Sequence, residues 1–151
     1  MTTIQFKPLV PSRVAFIVVH CTATRASQDF GVDDIRVMHL KRGFFDVGYH
    51  YVIKRDGTVQ PGRPLDRQGA HVAGYNHLSV GVALVGGVKE DGVTPEDNFT
   101  AAQFESLKGV LADLRQKFPH AEVLGHRDMP HVAKACPSFD VRHEIAEGRL
   151  K

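Results

Sequence analysis

Val14-Ala15-Phe16-Ile17-Val18-Val19-His20 is an uninterrupted run of apolar, largely β-branched residues closed by a histidine. A run of that kind suits a strand covered on both faces, at the centre of a sheet with helices packed against it. It is far shorter than the roughly 18 apolar residues that a membrane span requires. The strand delivers His20 at its end.

The rest of the chain can be arranged around this strand. Residues 32–42 place Val32, Ile35 and Met38 at helical spacing, with Gly43 where a C-terminal cap would end the helix. Residues 48–54 (GYHYVIK) are rich in β-formers, and Asp56-Gly57 before Thr58-Val59 predicts a hairpin with two antiparallel strands. Residues 61–77 hold glycines, prolines and charges without a period and read as a loop, the kind of segment that often carries function. Residues 79–85 (SVGVALV) form a second buried strand closed by Gly86-Gly87, and residues 89–98 a polar surface loop. Thr100 stands three residues before Gln103, a capping box, and Phe104, Leu107, Val110, Leu111 and Leu114 then recur at helical spacing up to Phe118-Pro119. A short strand at 121–124 brings in Gly125-His126, and a loop over 127–138 leads to a short helix at 141–147. Interleaved strands and helices, with a hairpin beside crossovers, predict a single α/β domain over residues 1–151: a central mixed β-sheet flanked by α-helices.

Composition narrows the function classes. The chain has 151 residues, enough to bury a core without disulfide staples. A net charge of +2 is too balanced to suggest nucleic-acid binding, and no nucleic-acid motif is present. Residues 1–11 contain no apolar signal-peptide core, so synthesis in the cytoplasm without a leader is expected, and no membrane insertion. Two cysteines, Cys21 and Cys136, exclude a disulfide-rich scaffold and are expected to stay reduced. Nine histidines are the one excess.

Three of the thiol and imidazole side chains follow strands: His20 after the first, His126 after the last, and Cys136 in the loop beyond. Such ends can converge on one rim of a sheet. Zinc accepts imidazole and thiolate in tetrahedral geometry, and three protein ligands with a fourth position open is a catalytic arrangement. Taken singly, each residue also reads as ordinary: a strand-terminal histidine, a surface histidine and a small buried thiol.

Four blocks in order, VVHCTAT, DVGYHYVIKRDGTV, HVAGYNHLSVGVALVGG and GHRD…KACPSFD, resemble the phage-lysozyme and peptidoglycan-recognition type of N-acetylmuramoyl-L-alanine amidase (the type 2 amidases), particularly the small endolysins of T7-like phages. The resemblance runs over about residues 14–140. It implies a zinc-dependent peptidoglycan hydrolase that cuts the amide between the lactyl group of N-acetylmuramic acid and the first L-alanine of the stem peptide, for host lysis by a phage. It places one catalytic Zn2+ on His20, His126 and Cys136, and carries catalytic roles to Tyr49 and Lys134. It also puts His71 and Asn76 beside the substrate cleft, where hydrogen bonding to muramyl or peptide groups is expected.

Those roles suit the chemistry. Amide hydrolysis needs a polarised carbonyl, a nucleophile at neutral pH and stabilisation of the developing oxyanion. Lys134, two residues before Cys136, is expected to serve the oxyanion. Tyr49 has too high an ordinary pKa for a base at pH 7, so it is expected to orient water or hydrogen-bond the intermediate. Tyr49 and His50 would face opposite sides of a strand, as would His20 and Cys21, with Cys21 directed into packing. His39, His50, His77, His120, His131 and His143 are expected to be structural or solvated, although His131 lies between two candidate ligands.

The chain departs from the family in two places. The loop from His126 to Cys136 is a couple of residues longer, with Met129-Pro130-His131 as the insertion, which bears on the aim of Lys134. There is no tryptophan, and Phe44 and Phe45 are expected to fill part of that packing. Two other readings stand beside the amidase: a non-catalytic peptidoglycan- or protein-binding regulator on the same fold, and a cysteine hydrolase with Cys136 as nucleophile. The expected partners are peptidoglycan and, as an open position, a regulatory protein. No pattern demands a dimer, so a monomer is expected, acting on the periplasmic wall after release through a holin or another route.

Overall fold

The computed structural model describes residues 6–150. Residues 1–5 of the N-terminal stretch, and residue 151 at the far end of the expected domain, lie outside the described residues.

The chain folds as an α/β domain around a five-stranded mixed sheet. Its strands are β1 (Phe16–Cys21), β3 (Tyr51–Ile53), β4 (Val59–Pro61), β5 (Ser79–Leu84) and β7 (Glu122–Gly125), in the order β4-β3-β5-β1-β7. All neighbours are parallel except the β3–β4 hairpin. Two short strands, β2 (Thr24–Arg25) and β6 (Gly87–Val88), pair separately. The helices are α1 (Val32–Lys41), α2 (Ala101–Lys117) and α3 (Val141–Ala146). No described helix is long and apolar enough to cross a membrane.

The pleat of β1 sorts its side chains. Ile17 and Val19 point to the face where Phe104, Leu107, Leu111 and Leu114 of α2 and Val141 of α3 complete the main core. Val18 points to the other face, against Val72, Leu124 and Met129, and His20, two positions on, shares that side by strand periodicity. On that side Ile35 of α1 packs with Val47, Val52 and Val85. The apolar run in β1 therefore serves two cores, one on each face, as its lack of alternation implied.

Helix α2 begins as the capping box required. The Thr100 hydroxyl accepts the Gln103 amide at 3.1 Å, and Gln103 Oε1 accepts the Thr100 amide at 3.0 Å. Gln103 is fully buried, and its Nε2 donates to the carbonyls of Ile53 at 3.2 Å and Val85 at 2.9 Å, which ties the helix start to the sheet. The Thr100 hydroxyl also donates to the Arg55 carbonyl at 2.7 Å. Thr100→Ala removes both bonds and is expected to destabilise the protein by about 1–2 kcal/mol, read as a lower urea midpoint with unchanged slope.

Several boundaries differ from the sequence expectation. His20 lies inside β1, one residue before its end, and the strand expected at 48–54 is confined to Tyr51–Ile53. Tyr49 and His50 therefore precede a strand. Phe45 does not fill packing: it is 69% exposed, because the turn after α1 carries it outward. Phe44 does pack, edge-on to His39 with ring centroids 5.1 Å apart.

Candidate metal centre

Strands β1 and β7 are parallel neighbours, so both run toward the same rim of the sheet. Beyond β7 the chain turns into a single 3-10 turn (His126–Asp128), closed by Asp128 Oδ2 accepting the Gly125 amide at 3.0 Å. This sets His126 beside His20, with ring centroids 4.5 Å apart. The following loop returns to the same place. The Arg127 amide donates to the Cys136 carbonyl at 2.8 Å, the Cys21 amide donates to Cys136 Sγ at 3.1 Å, and the Ser138 hydroxyl donates to the Gly87 carbonyl at 2.8 Å. One ligand atom from each of His20, His126 and Cys136 then lies within 4.8 Å of the others.

The stretch expected to be an insertion, Met129 to His131, is anchored at its start. Met129 is buried in the small core with Val18 and Leu124, and only Pro130 and His131 project. His131 adopts a left-handed φ of 63° and is exposed; it borders the cavity but stands outside the ligand cluster.

The cluster forms the floor of a cavity of about 630 Å³. Tyr49, His71, Asn76 and Lys134 also line it, so all seven residues singled out in the sequence meet in one place. Tyr49 lies against His20 with ring centroids 5.0 Å apart. His71 Nδ1 is 2.9 Å from His20 Nε2, and Asn76 Oδ1 accepts the backbone amides of His71 and Val72, each at 3.0 Å. Lys134 is exposed at the edge. No aspartate or glutamate is among the described lining residues, whereas Arg42 and Lys134 are. A separate hollow of about 430 Å³ beside α2, lined by Tyr51, Val59 and Ser106 among others, contains no histidine or cysteine.

Burial dominates the electrostatics. It drives His20 far below the ordinary imidazole pKa, helped by His71 and His126, and it brings His126 down to about 4, helped by the Lys134 charge. Both rings are therefore neutral at pH 7, with a lone pair each to offer. Burial, followed by the neighbouring thiols, pushes Tyr49 above the ordinary phenol value, so it remains a hydrogen-bond donor across physiological pH. A hydrogen bond with Cys21, together with burial, pushes the Cys136 thiol well up. That is the reverse of what a free cysteine nucleophile needs, whereas coordination to a cation deprotonates a thiol outright.

Two imidazole nitrogens and a sulfur that already accepts a backbone N–H form a donor set suited to a borderline-soft divalent ion, so the residues fit a bound metal. Cys21 is buried, as expected of a residue facing away from His20, but it also borders the cavity, and its backbone amide and carbonyl both meet Cys136 Sγ. A Cβ on Gly87 would stand 2.6 Å from Cys21 Sγ, so the glycine makes room for this arrangement. Sequence reasoning read His39 as structural or solvated and did not single out Arg42; both line the cavity, and the helical spacing of Ile35 and His39, four apart on α1, was the available signal for His39.

The family of N-acetylmuramoyl-L-alanine amidases matches residues 10–139. The endolysin of Enterobacteria phage K11 is 51% identical over 132 residues, covering 87% of this chain and 85% of that protein. The endolysin of Escherichia phage T7 is 46% identical over 142 residues, covering 94% and 91% respectively. Among solved structures, the N-acetylmuramoyl-L-alanine amidase LysC from Clostridium intestinale superposes with a TM-score of 0.73 at 26% identity, covering 97% of this chain and 94% of its own. With the four sequence blocks folded around one His/His/Cys cluster and matched across most of their length, the chain belongs to the N-acetylmuramoyl-L-alanine amidase family.

Proposed function

We propose that this chain is a zinc-dependent endolysin that hydrolyses the amide joining N-acetylmuramic acid to the L-alanine of the stem peptide. The observation that carries the reading is the convergence of His20, His126 and Cys136 on the floor of the one cavity that also holds Tyr49 and Lys134. Zinc held by those three side chains supplies Lewis acidity, which polarises a carbonyl and acidifies water near neutral pH.

The chain's own residues divide the remaining work. The cavity wall of Arg42 and Lys134, free of described carboxylates, attracts the anionic stem peptide. The Lys134 ammonium stabilises negative charge developing on the scissile carbonyl oxygen. Tyr49, neutral and packed on His20, donates its phenolic hydrogen to the reacting oxygen and holds it in place. Tyr49→Phe keeps the ring packing and loses only that donor, so kcat is expected to fall by about 100-fold with little change in zinc content.

Mass spectrometry of products from purified Gram-negative peptidoglycan tests the reaction. Stem peptides with a free N-terminal L-alanine, lost on chelation and regained with zinc, are expected. No released peptide from folded, zinc-loaded protein would overturn the reading in favour of a non-catalytic binder.

A further inference from the structure

His71 sits in a space built for it. A Cβ on Gly81 of β5 would come within 2.8 Å of the His71 ring, and one on Gly69 within 2.6 Å, so the ring can stand here only because both neighbours lack a side chain. The Asn76 side chain fixes the backbone from below through the amides of residues 71 and 72.

The hydrogen-bond chain through this ring has one consistent direction. The Ser79 hydroxyl gives its only hydrogen to the Tyr75 carbonyl at 2.8 Å, so it presents a lone pair to His71 Nε2 at 3.4 Å. His71 Nε2 therefore carries the hydrogen and His71 Nδ1 the lone pair. That lone pair faces His20 Nε2 at 2.9 Å, so His20 donates from Nε2 and keeps its Nδ1 lone pair free.

We propose that His71 is a positioning residue for the metal centre: by accepting from His20 Nε2 it fixes the tautomer and ring orientation in which His20 offers Nδ1 to the ion. The proposal rests on the reading of His20 as a metal ligand. Metal-binding histidines generally donate their second nitrogen to a carboxylate, carbonyl or water, and loss of that partner weakens metal binding by about 10–100-fold. Here the partner is a neutral imidazole, itself oriented by Ser79 and the Tyr75 carbonyl.

The test measures zinc dissociation constants by competition with a chromophoric chelator, for wild type, His71→Ala, His71→Asn, Ser79→Ala and His20→Ala. Histidine tautomers are read by 15N NMR on the zinc-loaded protein. His71→Ala is expected to bind zinc about 10–100-fold more weakly. His71→Asn, whose Oδ1 can accept at the position of Nδ1, is expected to recover most of that loss. Ser79→Ala, which frees His71 to exchange tautomers, is expected to show a smaller loss. His20 is expected to be protonated at Nε2. Wild-type affinity in folded His71→Ala, or a His20 protonated at Nδ1, would overturn the proposal. If His71→Ala does not fold, the tautomer and the affinity of the asparagine variant decide. Failure of the ligand reading has a different signature: His20→Ala would then bind zinc as tightly as wild type.

Discussion

Cys136→Ser is expected to reduce amide cleavage and zinc affinity together, each by more than about 100-fold, while the protein stays folded. Loss of a partner one shell removed from a metal already weakens binding or activity by roughly 10–100-fold, and Cys136 would supply a direct bond. A serine hydroxyl does not ionise near neutrality, so it replaces an anionic donor with a weak neutral one. The fold is expected to persist because the loop is held by backbone groups and by Met129, not by the thiol alone. Cys136→Asp makes the decisive companion. A carboxylate can ligate zinc, so measurable zinc binding and partial activity are expected in the aspartate variant. A cysteine nucleophile would lose its function equally in both variants, so two equally inert, zinc-replete proteins would refute the metal role of Cys136.

Acidification from pH 7 to 4 is expected to remove several kcal/mol of stability through two histidines outside the metal cluster. Burial lowers His39 to about 4; Arg42 and Arg63 add to the shift and Asp46 opposes it. Burial lowers His50 to about 4 as well; its bond to the Arg67 carbonyl opposes the shift and Arg63 adds to it. Both rings are spoken for in the neutral form. His39 Nδ1 accepts the Gly48 amide at 2.8 Å. His50 Nδ1 accepts the Gly81 amide at 3.0 Å while its Nε2 donates to the Arg67 carbonyl at 2.8 Å. The unfolded chain protonates these groups near pH 6.5, and the native protein only near pH 4. Between those values the unfolded state binds more protons, so stability falls as pH falls, and below about 4 the loss levels off. The fully buried His50 ring can contribute up to about 3 kcal/mol, and His39, which borders the cavity, less than that; together they are a large share of the total for a domain of this size. Urea unfolding across this range gives the slope. His39→Asn, which keeps an acceptor for Gly48 without titrating, is expected to flatten it by about one proton, and an unchanged slope would refute the assignment.

The parts of the fold that were legible in the sequence are those set by local periodicity. The unbroken apolar run of β1 and the capping box with its 3.6-residue repeat in α2 each depend on near neighbours; α2 starts where the pattern put it, and β1 is present but shifted two residues along the chain. The limits of β3 were not legible, because pairing there depends on β5: His50 donates to the Gly81 carbonyl, yet the chain has not entered regular strand. The residues of the site were legible through the four blocks, and their convergence follows from the parallel pairing of β1 with β7. What escaped was the set of contacts made between distant segments. Strand alternation gives the direction of Cys21 relative to His20, but not that the loop carrying Cys136, 115 positions later, closes over it. In the same way His71 reads correctly as a cleft residue, but nothing local reveals the glycines that admit its ring or its contact with His20.

The parallel pairing of β1 with β7 has a kinetic consequence. His20 and His126 are separated by most of the chain, and they meet only when the last strand docks beside the first. A cation in solution cannot gather the three ligands before that docking, because closing so long a loop is an entropic cost met late in folding. Binding energy from the ion is then absent from the folding transition state and present in the native one. Saturating zinc should leave the refolding rate nearly constant and slow unfolding in proportion to its occupancy, making the ion a latch on the finished sheet rather than a template for it.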